Sequence, residues 1–268
     1  MPSSSFNSNI NITHIGTATA IIEIEGVRFI TDPVFGKAGD FPNEFVTLTQ
    51  TQDPAFELAD LPIIDAVLLS HEDHEDNLDK LGRQLLDGRH VLTTVDGANK
   101  LAPRPAVQGL KPWQTVQLVL HGKSFTITGT PCVHYEDGQV TGYVIELDSF
   151  GKHDDGRPNA IYISGDTIYA PELKSIGDKW HIVASVLNFG AAKVPSPSHG
   201  GEIRMITFDG ETGSQLHKDL KAEKLVPMHF DEWTHFSEFK DDLQKAFEKA
   251  DVASQVVWLE KGKEVKVL

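Results

Sequence analysis

Two β-sheets packed face to face with helices outside them, an α+β sandwich, is the fold that this sequence predicts. Three observations carry the expectation. The apolar runs are short and bounded by Gly, Pro and Asp, which suits buried strands better than helices. Each half of the chain runs strands first and then helices, so one sheet and its helices arise from each half. The 268 residues can bury a large core and show no linker, which predicts a single domain over residues 1–268.

Taken in order, Ile10 and Ile12, the run Ala18 to Ile24, a Glu25-Gly26 turn and the return Val27–Ile30 predict an opening β-hairpin closed by Thr31-Asp32-Pro33. His14 lies inside the first strand, where a ring hydrogen-bonded in or beside the sheet is the expected role. Residues 36–60 are irregular, rich in Gly, Pro and Asp, and form a candidate flap. Ala66–Leu69 reads as a buried strand, and Leu78, Leu81, Leu85 and Leu86 recur at helical spacing after it. A strand His90–Thr94 and a helix near Gly97–Leu101, ended by Pro103, come next.

From Ala106 the pattern turns to β, with Thr115–Leu118, Ser124–Thr130 and Gly142–Leu147 as strands of a second sheet. Asp148–Asn159 is a polar insertion resembling a mobile hairpin tip. Ala160–Ile163 is a buried strand ending in Ser164-Gly165-Asp166-Thr167, and Pro171–Ile176 is a helical turn. Ile182–Leu187 repeats the strand pattern and breaks at Asn188-Phe189-Gly190, before a Pro/Ser/Gly loop to Gly201. A helix from about Gly210 to Leu220, the strand Leu225–Met228, the helix Phe236–Ala250 and short strands Val256–Leu259 and Glu264–Val267 complete the chain.

The formal charge of −15 argues against nucleic acid or an anionic membrane as partner, because an acidic surface gains nothing by releasing their counterions. Bound divalent cations would make a pocket locally positive, so an anionic small molecule is still open. The single cysteine, Cys132, rules out an intrachain disulfide framework and fits a reducing compartment. The N-terminal MPSSSFNSN lacks the basic and apolar regions of a secretory signal, and no later stretch is long and apolar enough to span a bilayer. A soluble cytoplasmic protein with a small-molecule substrate is expected, and a homo-oligomer is compatible with the sequence.

The chemistry gathers in Ser70 to Asp79, SHEDHEDNLD, a loop between a core strand and a helix. His71, His74 and Asp76 are ligand types for a divalent metal, and a loop at a strand's C-terminal edge can turn several inward together. The plainer alternative is a solvated acidic loop whose Asp76 or Asn77 caps the helix. His134, Asp166 and His229 also follow strands. Singly they read as a sheet-edge histidine, a helix cap and a ring satisfied by backbone. Their shared position at strand ends points instead to one metal site.

The words HIGTATAIIEI, FITDPVF, LLSHEDHEDNLD, YISGDTIY and VPMHFDEWTHF together resemble the metallo-β-lactamase fold hydrolases, and within them the branch related to ascorbate-6-phosphate lactonase and N-acyl-phosphatidylethanolamine phospholipase D. The resemblance runs from Ile10 to Phe236 and implies a four-layer αββα sandwich of two mixed sheets with a metal site at its rim. It implies metal ligands at His71, His74, Asp76, His134, Asp166 and His229, with Asp166 bridging and Asp32 supporting the ligands from behind. Two departures stand out. His71 and His74 are three apart where the family has two, so the loop has an extra residue or Glu72 takes the first histidine's place. Asn77 stands where the family has its last loop histidine, which leaves Asp76, Asp166 and His229 for a second ion.

The resemblance implies one or two ions, zinc first, with manganese or iron compatible. His71, His74 and His134 would hold the first. A water made acidic by the metal would attack a lactone, lactam or ester carbonyl, or alternatively a phosphodiester, and a non-catalytic metal-binding relative is the reading from another class. Asp76 would orient that water and carry its proton. His235 could bind an oxyanion or protonate the leaving group; its alternative is a surface-loop histidine.

Overall fold

The computed structural model describes residues 6–42, 47–135 and 138–268. Its first strands are β1 (Ile10–Gly16), β2 (Thr19–Ile24) and β3 (Val27–Thr31), an antiparallel meander. The expected hairpin is thus β2–β3, with the residues before it forming a full strand of their own. The candidate flap holds a short hairpin, β4 (Gly39–Pro42) and β5 (Thr47–Gln50), and a 3-10 turn at Leu58–Asp60; its residues 43–46 lie outside the described ones. Next come β6 (Ala66–Leu68), α1 (Gly82–Leu85), β7 (His90–Thr94), α2 (Val95–Leu101) and β8 (Val107–Leu110). The helix expected from Leu78 shrinks to the single turn α1. Asp79 accepts the backbone N–H groups of Phe35, Gly36 and Gly82, and this cross-loop staple displaces a longer helix from its start.

The second sheet is made by β9 (Thr115–Leu120), β10 (Lys123–Thr130), β11 (Gly142–Leu147) and β12 (Asn159–Ile163), followed after α3 (Ser175–Lys179) by β13 (His181–Asn188). The Pro/Ser/Gly loop forms a hairpin, β14 (Lys193–Ser196) and β15 (Glu202–Met205). The chain then runs through α4 (Gly210–Leu220), β16 (Lys224–Met228), α5 (Lys240–Lys249) and β17 (Glu264–Lys266). Of the two final strands expected, Val256–Leu259 is not one; Val256 makes an isolated bridge to Leu225. The insertion after Leu147 has a 3-10 turn at Asp148–Phe150 and an isolated Lys152–Pro158 bridge.

Strand order is β17-β1-β2-β3-β6-β7-β8 in one sheet and β16-β13-β12-β11-β10-β9 in the other. Both are mixed. β3, β6, β7 and β8 run parallel, as do β12, β13 and β16, while the remaining pairs are antiparallel. Alternate residues of the facing strands interdigitate between the sheets. Ile12, Phe29, Phe125, Ile127, Ile161 and Val226 belong to this central core, where Phe29 and Phe125 meet edge-on at 5.0 Å. Outside the second sheet, Leu216 and Leu220 of α4 and Leu243 and Phe247 of α5 pack on Ile182 and Leu187 of β13. Outside the first, Leu85 and Leu101 cover Val67 and Val91. The expected αββα layering is therefore what the chain forms. Among the described residues no helix is long and apolar enough to cross a membrane.

Gly82 opens α1 directly against the backbone of β3's exit, and a Cβ there would overlap the Pro33 carbonyl. Neither partner is a flexible side chain. Gly82→Ala is expected to lower unfolding free energy by about 2–3 kcal/mol, the upper part of the range for overpacking, measured by urea denaturation; a change under about 0.5 kcal/mol would contradict this packing.

Candidate metal centre

The parallel strands of both sheets end at one rim, and most of the candidate residues leave from such an end. Asp32 follows β3, the His71–Asp76 loop follows β6, Asp166 follows β12 and His229 follows β16. His134 arrives after the antiparallel β10. Several of these exits need unusual backbone. Asp32 and His229 have φ of 33° and 58°, left-handed values that L-residues adopt at a cost of about 1–3 kcal/mol and that recur at functional sites. Gly165, beside Asp166, has φ +58°, and a Cβ there would stand 2.8 Å from the Thr141 carbonyl and 2.9 Å from Ser70 Cβ. Glycine lets the two sheets' loops close on one another.

His71, His74 and His134 come together. Nε2 of His71 lies 3.0 Å from Nδ1 of His74, which lies 3.3 Å from Nε2 of His134, and the three ligand atoms are within 4.8 Å of one another. Their tautomers are set from behind. The Nδ1–H of His134 donates to the Ile206 carbonyl at 2.7 Å. That of His71 donates to Ser70 Oγ at 2.8 Å, and the hydroxyl in turn donates to Asp32 at 2.9 Å. Both rings thereby turn an Nε2 lone pair toward His74, as a metal-binding imidazole must. Burial, and the neighbouring imidazoles, push the His71 ring well below its ordinary pKa. Burial also lowers His134 to about 4, against the opposing pull of Asp166. Neutral imidazoles are the ligand form.

A second group adjoins the first. Asp166 accepts from Asn188 Nδ2 at 2.7 Å through Oδ1, and its Oδ2 is 3.5 Å from Nε2 of His229. Asp76 Oδ2 is 3.5 Å from the same nitrogen and 3.4 Å from Nε2 of His235. Burial opposes ionisation of Asp166, but the imidazoles of His229, His134 and His71 outweigh it and lower its pKa, which places this carboxylate between the two groups. Burial would likewise lower the His229 pKa, yet Asp166 and Asp76 raise it to about 9. Its Nδ1 faces the Phe189 carbonyl at 3.3 Å, while Nε2 is buried with no hydrogen-bond partner.

These residues fit a divalent cation on the structure's own terms. Asp76 and Asp166 are 4% and 1% exposed, and no Lys or Arg lines the pocket among the described residues. With no Lys or Arg beside them, these buried carboxylates have only the imidazoles of His229 and His235 as positive partners on the protein, or else a bound cation. The unsatisfied Nε2 of His229 needs the same partner.

The two departures in the loop are resolved. Glu72 is buried away from the histidines, 2.9 Å from Lys100 and 3.7 Å from Arg83, while His71, across the extra residue, turns its Nε2 to within 3.0 Å of His74. Asn77 is fully buried and turns its amide to Asp32 at 3.4 Å, behind His71 and out of the pocket. Burial and the Asp166 charge raise Asp32 to about 8, against the N–H and hydroxyl of Ser70. His235 is no surface histidine, since its side chain is 8% exposed. His14 has the role expected of it, with Nε2 3.1 Å from the Thr17 carbonyl. Ser70, Asp79 and Asn188 matter here and were not singled out by sequence. Only the S-H word and the N-F-G break hinted at the first and last.

A cavity of about 220 Å³ opens over the cluster. Phe41 and Leu48 of the β4–β5 hairpin, Val194 and Pro195 of β14–β15, Tyr135 and Ile206 form its apolar wall. Both hairpins are tied to the last loop. Thr51 N–H donates to the Glu232 carbonyl at 2.7 Å, Thr234 N–H to Thr49 at 3.1 Å, and Lys193 N–H to the His235 carbonyl at 3.1 Å.

The model of the β-lactamase superfamily domain matches residues 27–230. The chain is 25% identical over 246 residues to N-acyl-phosphatidylethanolamine-hydrolyzing phospholipase D 1 of Caenorhabditis elegans, covering 83% of this chain and 64% of that protein, so it spans less than two thirds of that relative. It is 22% identical over 268 residues to a UPF0173 metal-dependent hydrolase of Methanopyrus kandleri, covering 94% and 98% of the two. The isothiocyanate hydrolase from Delia radicum gut bacteria has the same fold, with a TM-score of 0.74 and 20% identity over 95% of this chain and 98% of that one.

Ser70→Ala cuts the relay from Asp32 to His71 while changing little volume. It is expected to weaken metal binding about 10- to 100-fold, the usual effect of losing a partner behind a ligand, read by competition with a chromophoric chelator; wild-type affinity would show that the relay does not orient the ring.

Proposed function

The chain belongs to the β-lactamase superfamily, and from that premise we propose that it is a metal-dependent hydrolase that opens a carbonyl bond, a lactone, lactam or ester, in a small molecule. The observation that carries the reading is a closed triad of imidazoles, two of them with tautomers set by hydrogen bonds from behind, at the floor of a pocket with an apolar wall and, among the described residues, no lysine or arginine in its lining. His71, His74 and His134 would hold the first ion, and Asp166 would reach between it and a second held with Asp76 and His229. Zinc is the ion we assign, since histidine-rich sites with carboxylates suit it, with manganese and iron as the alternatives. A bound divalent ion supplies Lewis acidity, which makes water nucleophilic near neutral pH and polarises a carbonyl oxygen.

The protein's own groups do the rest. Asp76, held below its ordinary pKa by His229 and His235 against the effect of burial, stays an acceptor that can orient the attacking water. Having taken its proton, the same carboxyl can deliver it to the leaving oxygen or nitrogen. Phe41, Leu48, Val194 and Pro195 hold the substrate's apolar body and exclude bulk water, which strengthens each polar contact on the floor. A phosphodiester is the second reading, favoured by the similarity to the phospholipase; against it, no Lys or Arg among the described lining residues meets a phosphate.

The test is turnover of a panel of lactones, lactams, aryl esters and a bis-aryl phosphodiester, with metal content measured alongside. We expect carbonyl substrates to turn over, chelation to abolish the activity, zinc to restore it, and Asp76→Asn to lower kcat by about 10²–10⁴. Turnover of the phosphodiester alone would replace this reading with the second. His134→Ala should lose the tightly held ion; its retention would sink the assignment of the triad.

A further inference from the structure

We propose that His235 is a metal ligand of the second group, taking the place that the loop after β6 leaves open, rather than a group that only meets substrate. The proposal rests on the metallohydrolase reading and adds a ligand to its site. The loop itself supplies Asp76 but no second imidazole, because Asn77, the next residue, is buried and committed to Asp32. His235 approaches Asp76 from the other side, on the last loop.

Distance separates the two roles. An imidazole bonded directly to a carboxylate would sit about 2.7–2.9 Å away, the range of charge-assisted hydrogen bonds. Two atoms each about 2.0–2.2 Å from one ion at tetrahedral angles stand roughly 3.3–3.6 Å apart. His235 Nε2 is 3.4 Å from Asp76 Oδ2, matching His229 Nε2 at 3.5 Å from Asp76 and 3.5 Å from Asp166. All three separations are too long for direct bonds and suit atoms sharing an ion. Asp76 is the hub of this open chain, whereas the histidine triad is closed.

Burial points the same way. The His235 side chain is 8% exposed, its Nδ1 is buried with no hydrogen-bond partner, and its Nε2 has Asp76 at 3.4 Å. An imidazole in that state is left unsatisfied by the protein alone. Phe236 and Trp233 flank the ring, with centroids at 4.6 and 6.0 Å, and the Lys193 N–H holds its carbonyl. The ring is thus fixed in place, as a ligand should be and a mobile proton carrier need not be.

The experiment counts ions rather than turnover. Metal-free wild type, His235→Ala, His235→Gln and His134→Ala are titrated with Zn²⁺ against a chromophoric chelator and with Co²⁺ by visible absorption, with circular dichroism confirming the fold. Wild type should take two ions. His235→Ala and His235→Gln should keep the first at wild-type affinity and bind the second about 10- to 100-fold more weakly, with an altered cobalt spectrum, while His134→Ala loses the first. Two ions held with wild-type affinity in both His235 variants would overturn the proposal, as would a wild type that takes up one ion. Absence of hydrolysis would count against the carbonyl reading and leave these metal counts standing, so the two failures are distinguishable.

Discussion

Buried negative charge is the constraint on which this molecule's rim depends. Asp76 and Asp166 are 4% and 1% exposed, and among the described residues no lysine or arginine lines the pocket beside them, while Asp32, 3% exposed behind them, is pushed toward its neutral form, its pKa raised to about 8. Each such charge is unfavourable by several kcal/mol unless paired. The protein answers in two ways. Asp32 receives the backbone and hydroxyl of Ser70 and the amide of Asn77. Asp76 and Asp166 are left facing imidazoles at distances that suit a shared cation. Beyond the Asn188 amide on Asp166, the protein meets these carboxylates only with imidazoles, and the buried Nε2 of His229 is left without a hydrogen-bond partner, which is why the site reads as a metal centre.

The sandwich architecture makes that arrangement affordable in backbone terms. Parallel strands from both sheets end at one edge, so residues far apart in sequence reach the same few ångströms without long excursions. Left-handed turns at Asp32 and His229 and the glycine at 165 then aim the side chains. Packing between the sheets and against α4 and α5 holds the strands, so strain stored at the rim is carried by a large core.

The pocket's character comes from a different part of the chain. Two hairpins stand over the cluster, and both are hydrogen-bonded to the loop that carries Trp233 and His235. Glu232 anchors the loop's base through Lys261 at 2.5 Å and Thr17 at 3.3 Å. The apolar wall and the last histidine are therefore set by one connected unit.

Much of this was legible in the residues. Short apolar runs located the strands because alternation and burial leave a local signature, and the strand-end residues His71, His74, His134, Asp166 and His229 were marked because metal chemistry uses few side-chain types. Helix α4 was placed from its own pattern, and the structure adds an Asp209 N-cap to it. The failures are equally physical. Leu78, Leu81, Leu85 and Leu86 have helical spacing, yet tertiary hydrogen bonds to Asp79 reduce the helix to one turn. Val256–Leu259 has a strand's composition but forms no ladder. Whether Glu72 or His71 joined the histidine cluster, and which way Asn77 and His235 turned, was beyond the sequence, since each depends on partners 11 to 159 positions away: Arg83 and Lys100, Asp32, and Asp76. The sequence by itself determined the layers and the ligand types, because periodicity and side-chain chemistry are local. Tertiary structure decided which of those side chains share a site, because that is set where loops from separate strands meet.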